Sequence, residues 1–224
     1  MKNGTFSAII IKKSELIYLI QTTETFKSPK VELEQYAIDA ACAVDIVFFA
    51  GFEFDDISNK IVFDLGAGSG RLSIISALLQ SACVLSVDID ISALEILNKN
   101  IANLNLRDKI FPICTDVKNL EISKVPSIRD YKITTIMNPP FGVQKKKADR
   151  VFLRTAFSFS EIIYSIHLAN KKVYNFIANF ALDFGWKVDY VFPYKMYLEK
   201  SFPFHTKRRK EIDINVFRFT KKEK

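Results

Sequence analysis

From residue 60 onward the chain alternates short apolar runs with amphipathic stretches, a pattern that leaves few ways to fold. Ile61 to Leu65, Cys83 to Asp88, Lys109 to Cys114, Lys132 to Met137 and Ile162 to His167 read as strands. Arg71 to Gln80, Ser92 to Asn103, Ala148 to Phe159 and Lys172 to Phe184 read as helices. In the Ser92 to Asn103 stretch Leu94, Ile96 and Leu97 form the inward face. Strands alternating with helices at this spacing imply βαβ crossovers and a mainly parallel sheet. The end departs from the pattern: Trp186 to Tyr197 and Ile212 to Thr220 are strand-like with no helix between them. They are predicted to pair antiparallel, with the basic stretch Lys200 to Lys210 as their connection.

The first part of the chain is helical instead. Ser14 to Phe26 forms a helix with Leu16, Ile17, Leu19 and Ile20 as its apolar positions, and a second helix runs from Ile38 to Phe49. Pro29 and the stretch Val31 to Tyr36 connect them. Residues 1–57 are therefore expected as an N-terminal helical segment and 58–224 as the α/β domain, together one compact unit. A 224-residue chain that is 49% hydrophobic suffices for one full core.

Several function classes fall away on composition. Apolar runs such as Ala8 to Ile11 and Ile46 to Ala50 are far too short to span a bilayer, and Met1 to Ile11 lacks the shape of a signal peptide. A soluble, cytoplasmic protein is expected. Cys42, Cys83 and Cys114 are odd in number and not spaced as C-x-x-C, so neither a disulfide framework nor a zinc site is expected. Cys83 and Cys114 lie in apolar strands and are expected as buried thiols. Two histidines, His167 and His205, are too few for a metal centre.

The glycine-rich turn Asp64-Leu65-Gly66-Ala67-Gly68-Ser69-Gly70 follows the first strand and opens its helix. Such a turn brings backbone N–H groups against a ligand, and nucleotide-binding folds share it. Asp64 ahead of it disfavours a pyrophosphate and suits a cationic ligand such as the sulfonium of S-adenosylmethionine. Asp88 ends the next strand, where a carboxylate accepts from ribose hydroxyls; Ile89 beside it lines an adenine. Asp116 ends the third strand, with Val117 next to it, and can accept from the cofactor's amino group. Any one of these aspartates is more often a helix cap. Three at the carboxyl ends of successive strands converge on one ligand, because open α/β sheets bind there.

Asn138-Pro139-Pro140-Phe141 follows the fourth strand directly. An exocyclic amine on a base is a poor nucleophile, its lone pair being delocalised into the ring. Two carbonyl acceptors, the Asn138 side chain and the Pro139 main chain, would draw off its protons and restore lone-pair character. Phe141 offers a face for a base turned out of its stack. Positioning and electrostatics then carry an in-line methyl transfer without a strong base.

These motifs resemble the amino-methyltransferase pattern of adenine-N6, guanine-N2 and glutamine-N5 enzymes, and the strand order expected here is similar to the class I S-adenosylmethionine-dependent methyltransferase fold. More narrowly, the chain resembles the methyltransferase-like protein 5 family, which methylates an adenine of small-subunit ribosomal RNA. The resemblance runs from about Ser14 to Phe219 and rests on Pro29 to Tyr36, the glycine turn and Asn138 to Gly142. Asp149, Phe152-Leu153, Tyr164 to His167 and Phe204-His205 also fit. It implies that Gln35 and Tyr36 cover the methionine end of the cofactor, alongside Gly66, Ser69 and Arg71. It also implies a small zinc-containing activator protein on the edge strand Lys109 to Cys114, where Ile110, Phe111 and Ile113 would otherwise sit partly exposed. The family usually continues Gln-Tyr with Pro-Thr; here Ala37-Ile38 stands there and lacks the hydroxyl that touches the cofactor.

Net charge is +7, concentrated in two clusters: Lys145, Lys146, Lys147 and Arg150 just past the Asn138 loop, and Lys207, Arg208, Arg209 and Lys210 on the late hairpin. Both suit phosphate contacts to RNA that position without reading sequence. The reading is N6-methylation of an adenine. Guanine-N2 or glutamine-N5 methylation remains open, as does a non-catalytic RNA-binding assembly factor that retains a cofactor pocket. Phe141, where glutamine enzymes favour Tyr, points to a base.

Overall fold

A computed structural model describes residues 12–122, 131–142, 147–199 and 209–222. Two helices, α1 (Lys13–Gln21) and α2 (Ala40–Phe52), precede β1 (Ile61–Leu65), α3 (Arg71–Leu78), β2 (Cys83–Asp88), α4 (Ile91–Asn103) and β3 (Ile110–Cys114). Then come β4 (Ile133–Met137), α5 (Ala148–Phe159), β5 (Ile162–Leu168), α6 (Lys171–Asp183), β6 (Trp186–Glu199) and β7 (Arg209–Lys221). The seven strands make one sheet in the order β3-β2-β1-β4-β5-β7-β6. β1 to β5 are mutually parallel, and β7 runs antiparallel between β5 and β6. This is the mainly parallel sheet with a terminal hairpin that the alternating pattern predicts.

Every residue of β1 and of β4 is buried, because helices cover both faces of the central strands. On one face α1 to α4 pack over Val62, Val84, Ile136 and Ile166. On the other, α5 and α6 pack over Phe63, Leu65, Met137 and Phe217. Leu16 and Ile20 of α1 are fully buried in the first of these clusters, so α1 is built into the same core as the sheet. Leu94 and Leu97 of α4 are buried as expected, with Ile96 half-buried at the border of that face.

Several predicted helix boundaries shift by one to five residues, and two of them have a local chemical reason. α1 stops at Gln21 rather than Phe26, because the hydroxyls of Thr22 and Thr23 turn back onto the carbonyls of Leu19 and Ile20, both at 2.7 Å. α2 starts at Ala40 rather than Ile38, because Asp39 caps it by accepting from the Cys42 N–H at 2.9 Å. Residues 22–39 between them run as a strap across the top of the sheet. The expectation of buried thiols fails for Cys114, which is exposed, and holds only in part for Cys83, which is half-buried. β3 is the edge of the sheet, so its side chains lack a neighbour on one side.

The hairpin rises past the rest of the sheet. Leu168, the last residue of β5, lies opposite Ile214, so residues 209–213 of β7 extend beyond the carboxyl ends of the parallel strands. Tyr194 of β6 donates to Asp45 of α2 at 2.7 Å, and the Tyr197 N–H donates to Asp39 at 3.1 Å. At the opposite end of the sheet, Arg218 donates to Asp56 at 2.9 Å and Tyr164 donates to the same carboxylate oxygen at 2.6 Å. Among the described residues no helix is long and apolar enough to cross a membrane.

Candidate active site

The connections leaving β1, β2, β3 and β4 converge at the carboxyl ends of the strands and, with the strap, enclose a cavity of about 400 Å³. β1 and β4 are neighbours, yet the chain leaves them in opposite directions along the sheet. That switch point opens a crevice for a ligand, and the volume suits a small molecule.

Gly66, Ala67, Gly68 and Ser69 form its floor. Gly66 and Ala67 donate to the Val87 carbonyl at 2.8 and 3.0 Å, which holds the turn against β2. Gly68 (φ 55°) donates to Asp88 Oδ2 at 2.8 Å. Gly70 stands behind the wall and permits close packing instead: with φ 87°, a Cβ there would meet Leu97 of α4 at 2.1 Å.

Asp88 lies on the wall with both oxygens oriented by main-chain donors, Oδ1 accepting from Asp90 N–H at 2.9 Å. Burial raises its pKa despite those bonds. Each carboxylate oxygen has two lone pairs and can accept a second hydrogen bond beside the main-chain one. Ile89, 54% exposed, forms an apolar lip beside it. Asp116 and Val117 line the same wall; Asp116 also caps the short turn Val117–Asn119 and pairs with Lys118 at 3.0 Å.

Asp64 is a correction. It does not line the cavity; it is 1% exposed beneath the turn, where Ser73 donates to its Oδ2 at 2.6 Å. Burial pushes its pKa up to about 7. Alternation along β1 turns Asp64 into the α3 side of the sheet, away from the ligand.

The strap supplies the roof through Phe26, Gln35, Tyr36, Ala37 and Ile38. Gln35 spends its side chain on anchoring: its amide nitrogen donates to Asp90 at 2.8 Å and its oxygen accepts from Lys30 N–H at 2.9 Å. The Lys30 ammonium reaches the other Asp90 oxygen at 2.7 Å. Arg71 lines the cavity and donates to the Ile38 carbonyl at 2.6 Å. Asn100 of α4 holds the strap's first part by exchanging two hydrogen bonds with the Glu24 main chain, at 2.8 and 3.0 Å. Lys30, Asp90, Asn100, Phe26 and Phe152 all escaped sequence reasoning as site-forming residues. Lys30 and Phe152 lie in stretches that carry the family resemblance, and Asn100 left a signal as a polar residue on the inward face of α4 beside Leu97 and Ile101.

Asn138 and Pro140 form the wall opposite the glycine turn, so the acceptor loop and the cofactor-side residues share one cavity. Asn138 Oδ1 accepts from the Tyr36 hydroxyl at 3.3 Å. Pro139 is buried behind the wall. Phe141 also stands behind it, stacked on Tyr36 with ring centroids 5.4 Å apart, so Tyr36 occupies one of its faces.

A family model described as ribosomal protein L11 methyltransferase matches residues 52–130. The rRNA N(6)-adenosine-methyltransferase METTL5 of Danio rerio is 33% identical over 213 residues, covering 94% of this chain and 99% of that protein. An uncharacterized protein of Methanocaldococcus jannaschii is 36% identical over 216 residues, 95% of each chain. A crystal structure from Pyrococcus horikoshii, described as a candidate RNA methyltransferase, superposes with a TM-score of 0.83 at 35% identity, covering 95% of this chain and 99% of that one. The chain belongs to the METTL5 family of rRNA N6-adenosine methyltransferases.

Members of the METTL5 family are S-adenosylmethionine-dependent, and the cavity fits that group. It pairs a carboxylate oriented by main-chain donors (Asp88) with a glycine turn at which added Cβ atoms would crowd Phe152 and Phe26 at 3.1 Å. The Ala37-Ile38 departure leaves both residues on the wall, with Ile38 contributing its carbonyl to Arg71.

Of the basic clusters, Lys147 is exposed and lines the cavity rim. Arg150 is turned aside, its guanidinium 4.2 Å above the Phe176 ring. Lys145, Lys146, Lys207 and Arg208 lie outside the described residues; Arg209 and Lys210 belong to β7, which places their main chain on the part of the hairpin beyond the sheet.

The outer edge of β3 is unevenly equipped for a partner. Lys109 O accepts from Val84 and Thr115 N–H donates to Asp88 O, so Ile110, Pro112 and Cys114 direct their main chain outward. Ile110 N–H is already taken by Leu106 O at 3.0 Å, and Pro112 has no N–H. Ile110 is buried, contrary to expectation, whereas Phe111 is 44% exposed and Ile113 half-buried.

Proposed function

We propose that this METTL5-family chain methylates N6 of an adenine in small-subunit ribosomal RNA, with Asn138 as the side-chain acceptor for the target amine. The observation that carries this reading is that Asn138 lines the same cavity as Gly66 and Asp88. Gly66, Gly68, Ser69, Arg71, Asp88, Ile89, Asp116 and Val117 would hold the cofactor from below, with Gln35 and Tyr36 above it. S-adenosylmethionine, when bound, supplies a methyl group on a sulfonium. Asn138 Oδ1 on the wall would accept from one N6 proton, and the Pro139 carbonyl would accept from the other where the substrate reaches past the wall, which returns lone-pair density to nitrogen. The walls would hold the amine in place for an in-line displacement. Phe141 can stack a base only on the face that Tyr36 leaves free.

The N-terminal segment, residues 1–57, acts in this reading as the cover of the cofactor site. Lys147 at the rim contacts RNA phosphate; the main chain of Arg209 and Lys210 lies at the same end of the sheet, which supports a second phosphate contact by the cluster Lys207, Arg208, Arg209 and Lys210, of which the first two lie outside the described residues. A small zinc-containing activator would pair with β3 mainly through the carbonyls of Ile110, Pro112 and Cys114, and would cover Phe111. Ribosomal RNA as substrate implies action inside the cell, and we read the compartment as the cytoplasm.

The test compares ribosomal RNA from cells with and without the gene by nucleoside mass spectrometry. Loss of N6-methyladenosine from the small subunit, restored by the wild-type gene and not by Asn138→Ala, is expected. An unchanged N6-methyladenosine level, or loss of N2-methylguanosine instead, overturns the assignment.

A further inference from the structure

Tyr36 is the one point at which the strap touches both Asn138 and Phe141 among the contacts given above. Its hydroxyl donates to Asn138 Oδ1 at 3.3 Å, and its ring stacks on Phe141 with an interplanar angle of 28°. The strap is anchored on both sides of it, by Gln35 on Asp90 and by Arg71 on the Ile38 carbonyl, so the phenol has little freedom to move. Burial raises its pKa well above the ordinary tyrosine value, and it therefore remains a hydrogen-bond donor.

An asparagine amide can present either its oxygen or its NH2 group after a half-turn about its last bond. Only the oxygen is of use to an amine that must give up protons. A phenol is a good donor and a weak acceptor, its oxygen lone pair being shared with the ring, so a fixed phenol favours the orientation with Oδ1 toward it. The carbonyl has two lone pairs. One is engaged by Tyr36 and the other stays free for the substrate.

We propose that Tyr36 is a positioning residue that sets the Asn138 amide with its carbonyl toward the target amine, so that seating the cofactor strap also sets the substrate acceptor. This rests on the adenine-N6 reading above. The strap and the acceptor loop are then two halves of one device: a strap out of place leaves the amide free to turn its NH2 group to the substrate, which repels the amine.

The test uses the full chain as wild type, Tyr36→Phe and Tyr36→Leu. Calorimetry with S-adenosylhomocysteine measures the cofactor side. Titration of the S-adenosylhomocysteine-loaded proteins with adenosine and with purine riboside, which lacks the amino group, measures the acceptor side. Tyr36→Phe keeps the ring, so its S-adenosylhomocysteine affinity should stay within about twofold of wild type, while its preference for adenosine over purine riboside should fall about 5–10-fold, the worth of one hydrogen bond. With ribosomal RNA as substrate, its kcat should fall by about 10-fold at unchanged KM for S-adenosylmethionine. Tyr36→Leu should lose S-adenosylhomocysteine affinity as well. Wild-type preference and turnover in Tyr36→Phe, or a loss confined to S-adenosylhomocysteine affinity, overturns the proposal alone. A wild-type protein with no preference for adenosine overturns the Asn138 reading on which it stands.

Discussion

Gln35 donates to Asp90 across 2.8 Å, and the two residues stand 55 positions apart in the chain. Asp90 is 6% exposed and receives Lys30 on its other oxygen, so one carboxylate clamps the strap to the start of α4. Burial alone would raise the Asp90 pKa, but the hydrogen bonds from Lys30, Gln35 and the Ser92 N–H outweigh it and hold the group below the usual range.

Asp90→Ala should therefore loosen the roof of the cavity while leaving Asp88 and the glycine turn in place. Cofactor affinity is expected to fall about 10-fold, with a loss of stability of about 1–3 kcal/mol from the cap and the orphaned partners. Calorimetry with S-adenosylhomocysteine and a urea melt measure the two effects. Unchanged affinity would show that the strap does not cover the ligand.

Asp88→Ala removes the acceptor on the wall. A charged group accepting ligand hydroxyls is worth roughly 1.5–3 kcal/mol, so affinity should drop about 10–100-fold. Asn138→Ala should leave that affinity nearly intact and abolish transfer. Equal losses of affinity in the two variants would contradict the division of roles.

Asp64 makes stability depend on pH in a definite direction. Its folded pKa of about 7 lies above the unfolded value near 3.8, so the folded state holds the proton across that interval. Stability is fully present below about pH 4 and is lost as pH rises toward 7, at about 1.4 kcal/mol per pH unit. His167 works against it: burial pushes its pKa down to about 3, which costs stability as pH falls below the unfolded histidine value of 6.5. Asp64→Asn should remove only the first slope, so the difference in unfolding free energy between variant and wild type should change steadily between pH 4 and 7. A constant difference would refute the buried, protonated carboxyl.

Arg218 provides a control remote from the chemistry. Its ion pair with Asp56 is nine-tenths buried on both sides, and it also hydrogen-bonds Tyr164 at 3.1 Å and Asp189. Arg218→Leu strands a buried carboxylate and should cost about 3–5 kcal/mol. Below the lowered melting point, S-adenosylhomocysteine affinity should remain that of the wild type; a parallel loss would mean that the far end of the sheet controls the site.

Lys147→Ala bears on RNA rather than cofactor. Removing one phosphate contact should lower the slope of log affinity against log salt by about 1 and weaken binding to unrelated RNA equally. A filter-binding series in potassium chloride measures it, and an unchanged slope would place Lys147 outside the RNA contact.

Strand and helix order was readable because the signals are local: the apolar runs of β1 and β4 and the period of α4 lie within single segments. The glycine turn and Asn138 to Phe141 were readable for the same reason, each being a contiguous motif directly after a strand. Where a side chain's neighbours decide its role, local signal ran out. Asp64 and Asp88 look alike as carboxylates at strand ends, yet one faces α3 and the other the cavity. Asp90 carries no motif of its own and is the strap's anchor. Arg150 belonged to a charge cluster and lies over Phe176.

Sequence alone therefore determined the class of fold, the rim at which a ligand meets it, and the pairing of a glycine turn with an amide acceptor. These follow from periodicity and from residues adjacent along the backbone. Tertiary structure decided which of those residues share the cavity, and it alone joined Tyr36 to Asn138 over 102 positions of chain. Such contacts depend on where packing leaves each side chain, which no single stretch of residues encodes.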